Sequence, residues 1–333
     1  MSNKILSIII PAYNVESYIE KCLDSVTHNI KTIDDIEIIV INDGSTDQTL
    51  KLAEKYAFQY PHSVRVIDKP NGGWGTGINK GIEEATGKYL KTLDSDDWFY
   101  SESLDSFINL LKHINVDMVL TSFSEITSTS IRVRNMPKEF CEKVTSIDEY
   151  LTNNNFKLNA PIHAITYKTS ILKDSKWKVA EKYYGDLDYI IAPLIHVKTV
   201  YLSTLNIYQY FLGREGQSVS IEGYNAHIDD YLTVCDKTIL FWIDNENKIS
   251  KPLRQLIQTS TIERIRWAYI LLMSPTYSGN KLDSKRKLNK LDETVRKDKD
   301  LYYLTNQIKY KHLIPWIYIW RKTKINLFKL YRI

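Results

Sequence analysis

Residues 90–93 form a short β-prone run that ends in Asp94, Ser95, Asp96 and Asp97. Three carboxylates at the end of a strand repel one another. Each costs several kcal/mol to desolvate without a partner, on the order of the margin that keeps a domain folded. A cation resolves the conflict. Hard oxygen ligands suit Mg²⁺ or Mn²⁺, which take one or two carboxylates and complete their shells with water and substrate phosphates. The same residues also suit a helix start, because Asp97, followed by Ser101 and Glu102, can cap the next helix and complement its dipole. Both readings stand on this segment alone: a cation site for phosphorylated substrates, or an acidic cap.

The elements that would carry this turn are legible upstream. Residues 5–10 are an apolar, β-branched run, as in a strand covered on both faces, and it stops at Pro11, Ala12, Tyr13 and Asn14. Residues 36–41 are a second run, ending in Asn42, Asp43, Gly44, Ser45, Thr46 and Asp47 ahead of a helical stretch to about Tyr60. Residues 64–67 are a third, followed by a polar, glycine-rich turn to Gly77, and residues 89–93 are the fourth. Strands that end in polar or glycine-rich turns and pass into helices predict a parallel α/β sheet. In such sheets the ligand lies beyond the carboxyl ends of the strands, so all four polar clusters face one crevice.

Taken together these segments resemble one known family. Ser7-Ile-Ile-Ile-Pro-Ala-Tyr-Asn14, Ile41-Asn-Asp-Gly-Ser-Thr-Asp47, Asn71-Gly-Gly73 with Asn79, Gly81 and Gly87-Lys-Tyr89, and Leu93-Asp-Ser-Asp-Asp-Trp98 stand in the order found in the inverting glycosyltransferases of family 2. An Asp-x-Asp alone is common by chance; four motifs in order are specific. The likeness is dense over roughly the first hundred residues and weaker to about residue 220. It implies the GT-A fold, a mostly parallel sheet flanked by helices, with a helical C-terminal region after it. It also implies a UDP-sugar donor, a glycan or lipid-linked acceptor, Mn²⁺ or Mg²⁺ as cofactor, and a bacterial surface-glycan or exopolysaccharide pathway.

Residue by residue, the resemblance assigns the nucleobase to the turn Pro11, Ala12, Tyr13, Asn14 and to Asp43. Asn71, Gly73 and Asn79 then line the donor, Asp94 faces the ribose with Ser95 beside it, and Asp96 ligates the metal. Asn42 departs from the Asp of many relatives, but its amide still offers hydrogen bonds. Where relatives carry a Glu-Asp pair before a helix, this chain has Gly185-Asp186 within Tyr183-Tyr-Gly-Asp-Leu-Asp-Tyr189. Asp186 thereby inherits the role of general base, with Asp188 as runner-up. The simpler alternative is that Asp186 only caps the helix expected over residues 187–196.

The chemistry follows without the family name. A departing nucleoside diphosphate develops negative charge that a divalent ion offsets, and an acceptor hydroxyl needs a base within hydrogen-bond reach. Arg214 is a candidate clamp for a phosphate oxygen, or pairs with Glu215 or Glu222. His163 is a candidate for the metal shell or the acceptor, or is a packed core histidine. Asn71-Gly-Gly-Trp-Gly-Thr-Gly77 fails the dinucleotide spacing because position 80 is Lys. Trp74 either walls the sugar pocket or covers the core.

Composition bounds the rest. A chain of 333 residues with 43% apolar content buries a full core and suggests a catalytic domain over 1–220 and a helical region over 221–333. In that region Ile257, Ile262, Ile265, Trp267, Ile270 and Leu271 form the expected core face, ahead of a charged helix over residues 282–299. Three scattered cysteines, Cys22, Cys141 and Cys235, indicate neither a disulfide framework nor a zinc site. With no signal peptide evident and no apolar run of roughly 18 residues, a cytoplasmic protein is expected. Residues 304–333 alternate cations such as Lys309, Arg321, Lys322 and Lys324 with Trp316, Tyr318 and Trp320. Such a tail suits peripheral contact with the inner face of an anionic membrane, packing on its own domain, or a homo-oligomer. No nucleic-acid module precedes it, so nucleic acid is not expected. Two rival functions remain at this point: a nucleotidyltransferase, and a silent nucleotide-sugar-binding module.

Overall fold

The computed structural model describes residues 4–180, 182–212, 221–309 and 314–326. Arg214 lies outside the described residues. The chain divides into two compact units, Met1–Glu215 and Gly216–Ile333.

The first unit is built on one mixed sheet: β1 (Leu6–Ala12), β2 (Ile36–Asn42), β3 (Val64–Asp68), β4 (Tyr89–Thr92), β5 (Trp98–Phe99), β6 (Met118–Ile126), β7 (Ile131–Arg134), β8 (Val144–Ser146), β9 (Ile165–Lys168) and β10 (Thr199–Phe211). Its helices are α1 (Ile19–Thr27), α2 (Thr49–Gln59), α3 (Trp74–Glu84), α4 (Ser101–His113), α5 (Ile147–Asn153), α6 (Thr169–Asp174) and α7 (Asp186–Ile191). Every residue of β1 and β2 is buried, as their uninterrupted apolar runs require of strands covered on both faces. Gly81 lets α3 approach β1 closely, since a Cβ there would lie 2.4 Å from the Cγ2 of Ile9.

The strand order is β3-β2-β1-β4-β9-β6-β10-β5. β1 pairs in parallel with β2 from Leu6↔Ile36 to Ala12↔Asn42, and with β4 from Leu6↔Tyr89 to Ile9↔Thr92. The chain steps outward from β1 to β3 and then returns to the other side of β1 for β4. That reversal opens a crevice at the carboxyl ends of β1, β2 and β4, where all the expected polar clusters fall. Beyond β4 the sheet becomes mixed: β9 runs antiparallel to both β4 and β6, while β10 is again parallel to β6.

The second unit is helical: α8 (Ile221–Ala226), α9 (Ile228–Asn245), α10 (Lys251–Met273), α11 (Lys281–Val295), α12 (Lys299–Asn306) and α13 (Trp316–Thr323). Ser250, Asn280 and Asp298 cap α10, α11 and α12 with their side chains. The core face of α10 keeps Ile257, Ile265 and Leu271, but Trp267 is 45% exposed and Tyr269 is buried instead.

Where the tail is described, residues 316–321 take the packing alternative. Trp316, Ile317, Trp320 and Arg321 are buried. Arg321 donates from Nε to Asp292 Oδ1 at 2.6 Å, and from Nη1 to Tyr302 O, Thr305 Oγ1 and Asn306 Oδ1. These aromatics and this cation are therefore not offered to a membrane, because the helical unit uses them as core. No helix among the described residues is long and apolar enough to cross a membrane.

Candidate active site

The turns after β1 and β2 are laced into one wall. Asn14, at a φ of 50° that Asn tolerates better than most residues, donates its N–H to Ser45 Oγ and accepts from the Thr46 N–H at 2.8 Å. At the next two residues the Val15 N–H donates to Thr49 Oγ1 and the Glu16 N–H to Asp47 Oδ2. This lacing leaves Tyr13 half exposed at the lip of the crevice, with Pro11 and Ala12 buried beneath it.

Asp43 is nearly fully buried and holds the glycine-rich turn. Its carboxylate accepts from Lys69 Nζ and the Gly72 N–H on Oδ1, and from the Gly73 N–H on Oδ2 at 2.7 Å. Its carbonyl accepts from the Asn71 amide. Gly73 adopts a φ of 93°, which a side chain would strain, and this turns both N–H groups inward. Three donors converge on a carboxylate with about four acceptor positions, so a nucleobase N–H finds at most one more place there.

The acidic turn is pinned from two sides. Asp94 accepts from Trp74 Nε1 at 2.9 Å on Oδ1, and its N–H donates to the Tyr208 hydroxyl. The same hydroxyl donates to Asp97 Oδ2 at 2.6 Å, and the Phe211 N–H donates to Asp97 Oδ1. Burial first, then the charges of Asp94 and Asp96, push the Asp97 carboxyl up to about 8. Asp97 is thus neither a helix cap nor an outward ligand, and it ties the turn to β10. Ser95 is buried, and Asp94 and Asp96 are half-buried.

The two base candidates differ in exposure. Asp186 opens α7 and is exposed, whereas Asp188 is buried and accepts from the Ala180 N–H on Oδ2. Burial pushes the Tyr210 hydroxyl up to about 12, and the charges of Asp97, Asp94, Asp96 and Asp186 add to the rise.

Two expected contacts lie elsewhere. Asn79 uses its amide on Val179, donating to O at 3.0 Å and accepting from N at 2.9 Å, so it brackets the approach to α7 instead of lining the donor. His163 stacks between Tyr208 and Tyr210, edge-on to Phe123, and burial drives its imidazole down to about 3. It packs as a neutral ring. Among the described residues no group of three His, Cys, Asp or Glu side chains forms a metal cage. The acidic turn still fits Mg²⁺ or Mn²⁺, which need only one or two carboxylates when substrate phosphates supply the rest, and the crowding felt by Asp97 is what a cation would relieve.

Sequence reasoning missed Tyr208, Lys69 and the bond from Trp74. None carries a local signal, because each acts on a residue brought near only by the strand order.

Comparison with known proteins gives the same frame. The model of Glycosyl transferase family 2 matches residues 7–176. A poly(ribitol-phosphate) beta-glucosyltransferase of Bacillus spizizenii is 30% identical over 65% of this chain and 33% of its own length. The uncharacterized glycosyltransferase EpsJ of Bacillus subtilis is 38% identical over 37% of this chain and 35% of its own. The chain spans about a third of the length of these curated relatives. The crystal structure of residues 1–349 of S. aureus TarS, solved in complex with UDP, superimposes with a TM-score of 0.66 at 19% identity, covering 96% of this chain and 87% of that one. The fold is therefore GT-A, with a helical C-terminal region.

Proposed function

The chain belongs to glycosyl transferase family 2, and on that premise we propose that it moves one sugar from a UDP-sugar to an acceptor hydroxyl, with inversion at the anomeric carbon. The observation that carries this reading is the meeting of Tyr13, Asp43 and the acidic turn at the ends of β1, β2 and β4, with Asp186 near enough to act on Tyr210 beside Asp94, Asp96 and Asp97. Tyr13 offers a half-exposed ring to the uracil face, Asp43 its remaining acceptor position to the base, and Asp94 a carboxylate to the ribose. Asp96 would hold Mn²⁺ or Mg²⁺, which supplies Lewis-acid relief to the departing diphosphate. Asp186 takes the acceptor proton as the new bond forms. A single displacement by the activated hydroxyl, on the face opposite the leaving group, would give the inversion that the family resemblance implies.

The relative from Bacillus spizizenii is named for poly(ribitol-phosphate). That name supports a hydroxyl-rich bacterial surface polymer as acceptor. The test incubates the full chain with Mn²⁺, a panel of nucleotide sugars and poly(ribitol-phosphate). Free UDP and a glycosylated polymer are expected. Formation of a nucleoside triphosphate and a sugar 1-phosphate when pyrophosphate replaces the polymer would make the protein a nucleotidyltransferase, and no product from any donor in either arm would make it a silent binding module.

A further inference from the structure

Trp74 stands at a joint between two parts of the donor crevice. It is the first residue of α3 and follows directly on Gly72 and Gly73, whose N–H groups bond the carboxylate of Asp43 at 3.0 and 2.7 Å. Its own indole N–H reaches Asp94 Oδ1 at 2.9 Å. Three consecutive residues thus connect two acidic side chains that belong to different strands, Asp43 beyond β2 and Asp94 beyond β4. The backbone of Asp94 is held independently by the Tyr208 hydroxyl at 3.1 Å, so the indole acts on the carboxylate alone.

We infer that Trp74 is a positioning residue for nucleoside recognition: it orients Asp94 toward the ribose hydroxyls and, through Gly72 and Gly73, fixes the separation between the ribose-binding and base-binding carboxylates. This inference rests on the donor reading above. Its physical basis is directional. An indole N–H is a donor without an acceptor and occupies one lone-pair direction of Oδ1, so the carboxylate's other acceptor directions are aimed by its geometry.

The test compares UDP with 2′,3′-dideoxy-UDP, which keeps the base and phosphates and lacks the hydroxyls. Calorimetry in Mn²⁺ is run on the wild type, Trp74→Phe, Asp94→Ala and the double variant. Trp74→Phe keeps the ring's bulk and removes the donor. It should weaken UDP about tenfold, the scale of one hydrogen bond to a charged group, and leave dideoxy-UDP unchanged. In the Asp94→Ala background the same substitution should change nothing further, because the residue through which it acts is gone. Equal losses for the two nucleotides, or additive losses in the double variant, would overturn the inference. If Trp74→Phe does not fold, Trp74→His, which keeps a ring N–H, takes its place and should retain the wild-type preference for UDP. Failure of both to fold would make Trp74 a core residue and also overturn it. Wild-type protein that binds neither nucleotide removes the donor reading and this inference together, whereas wild-type binding with equal losses removes the inference alone.

Discussion

Asp94, Asp96 and Asp97 share the turn beyond β4, Asp186 opens α7, and the chain gives each a different environment. Asp97 is withdrawn onto Tyr208 and the Phe211 N–H, Asp94 is steered by Trp74, Asp96 stays half-buried, and Asp186 is exposed at the start of a helix. The division of labour sets the expected mutant phenotypes. Asp96→Ala should lower UDP affinity in Mn²⁺ by at least about tenfold and leave the metal-free affinity unchanged, since it removes one ligand from a set of one or two carboxylates. Calorimetry with and without Mn²⁺ checks this, and an unchanged Mn²⁺-dependent affinity would refute the assignment. Asp186→Asn keeps the side chain's size but cannot accept a proton, so folding and UDP affinity should survive while transfer falls by about 10² to 10⁴. Asp188→Ala should do the reverse. It leaves the half-buried Ala180 N–H without its acceptor, which costs about 1 kcal/mol of stability and is read as a lowered urea midpoint. If Asp188→Asn abolishes transfer and Asp186→Asn does not, the base was misassigned by two residues.

At the scale of elements, β4 carries a lysine that no turn chemistry explains. Lys91 is fully buried and donates from Nζ to His163 O at 2.7 Å and Ile165 O at 3.3 Å. β9 pairs with β4 only at Tyr89 and Leu90, so beyond that point a side chain supplies donors to the neighbouring backbone. Burial lowers the Lys91 ammonium to about 7. Between pH 7 and the ordinary lysine range the unfolded chain holds this proton and the folded chain does not, so stability contributed by Lys91 rises with pH across that window. The thermal midpoint should therefore climb less between pH 8 and 10 in Lys91→Met than in the wild type. Identical slopes would show that Lys91 stays charged when buried. This element also marks how far the fold was legible. The runs at 5–10, 36–41, 64–67 and 89–93 became β1 to β4 to within two residues at each end; β1 and β2, covered on both faces, had to be almost continuously apolar, while β3 at the sheet edge and β4 tolerate Arg65 and Lys91. β9 and its antiparallel insertion between β4 and β6 left no such trace, being four residues long and specified by partners about 50 and 80 residues away. The site divided the same way. Turn residues such as Asn14, Asp43 and Asp94 were readable from type and position, while Asp97 on Tyr208 and Asn79 on Val179 depend on contacts across about 100 residues of chain.

For the molecule as a whole, the open question is what its basic, aromatic tail does. Alternating cations and rings suit both an interface and a core, and composition cannot separate them, because Trp and Arg serve either way. Burial separates them for residues 316–321. Trp316 and Trp320 lie edge-on to Tyr269, Arg321 bridges Asp292 to the end of α12, and among the described residues of the tail the exposed side chains include Tyr318, Lys322 and Lys324. Asp292 itself is buried and also accepts from Tyr269 and Arg296. Removing the arginine leaves that carboxylate under-compensated inside the helical unit, and breaking a buried pair from one side costs about 3–5 kcal/mol. Arg321→Met should therefore bring forward the urea unfolding of this unit, followed by tryptophan fluorescence, since Trp242, Trp316 and Trp320 are all buried there. Lys322→Gln with Lys324→Gln should shift it by less than about 0.5 kcal/mol, as exposed charges do. A chain truncated after residue 309 should lose the transition of the helical unit altogether. If Arg321→Met instead unfolds like the wild type and loses only its sedimentation with anionic liposomes, the guanidinium faces lipid and the packing described for α13 is wrong.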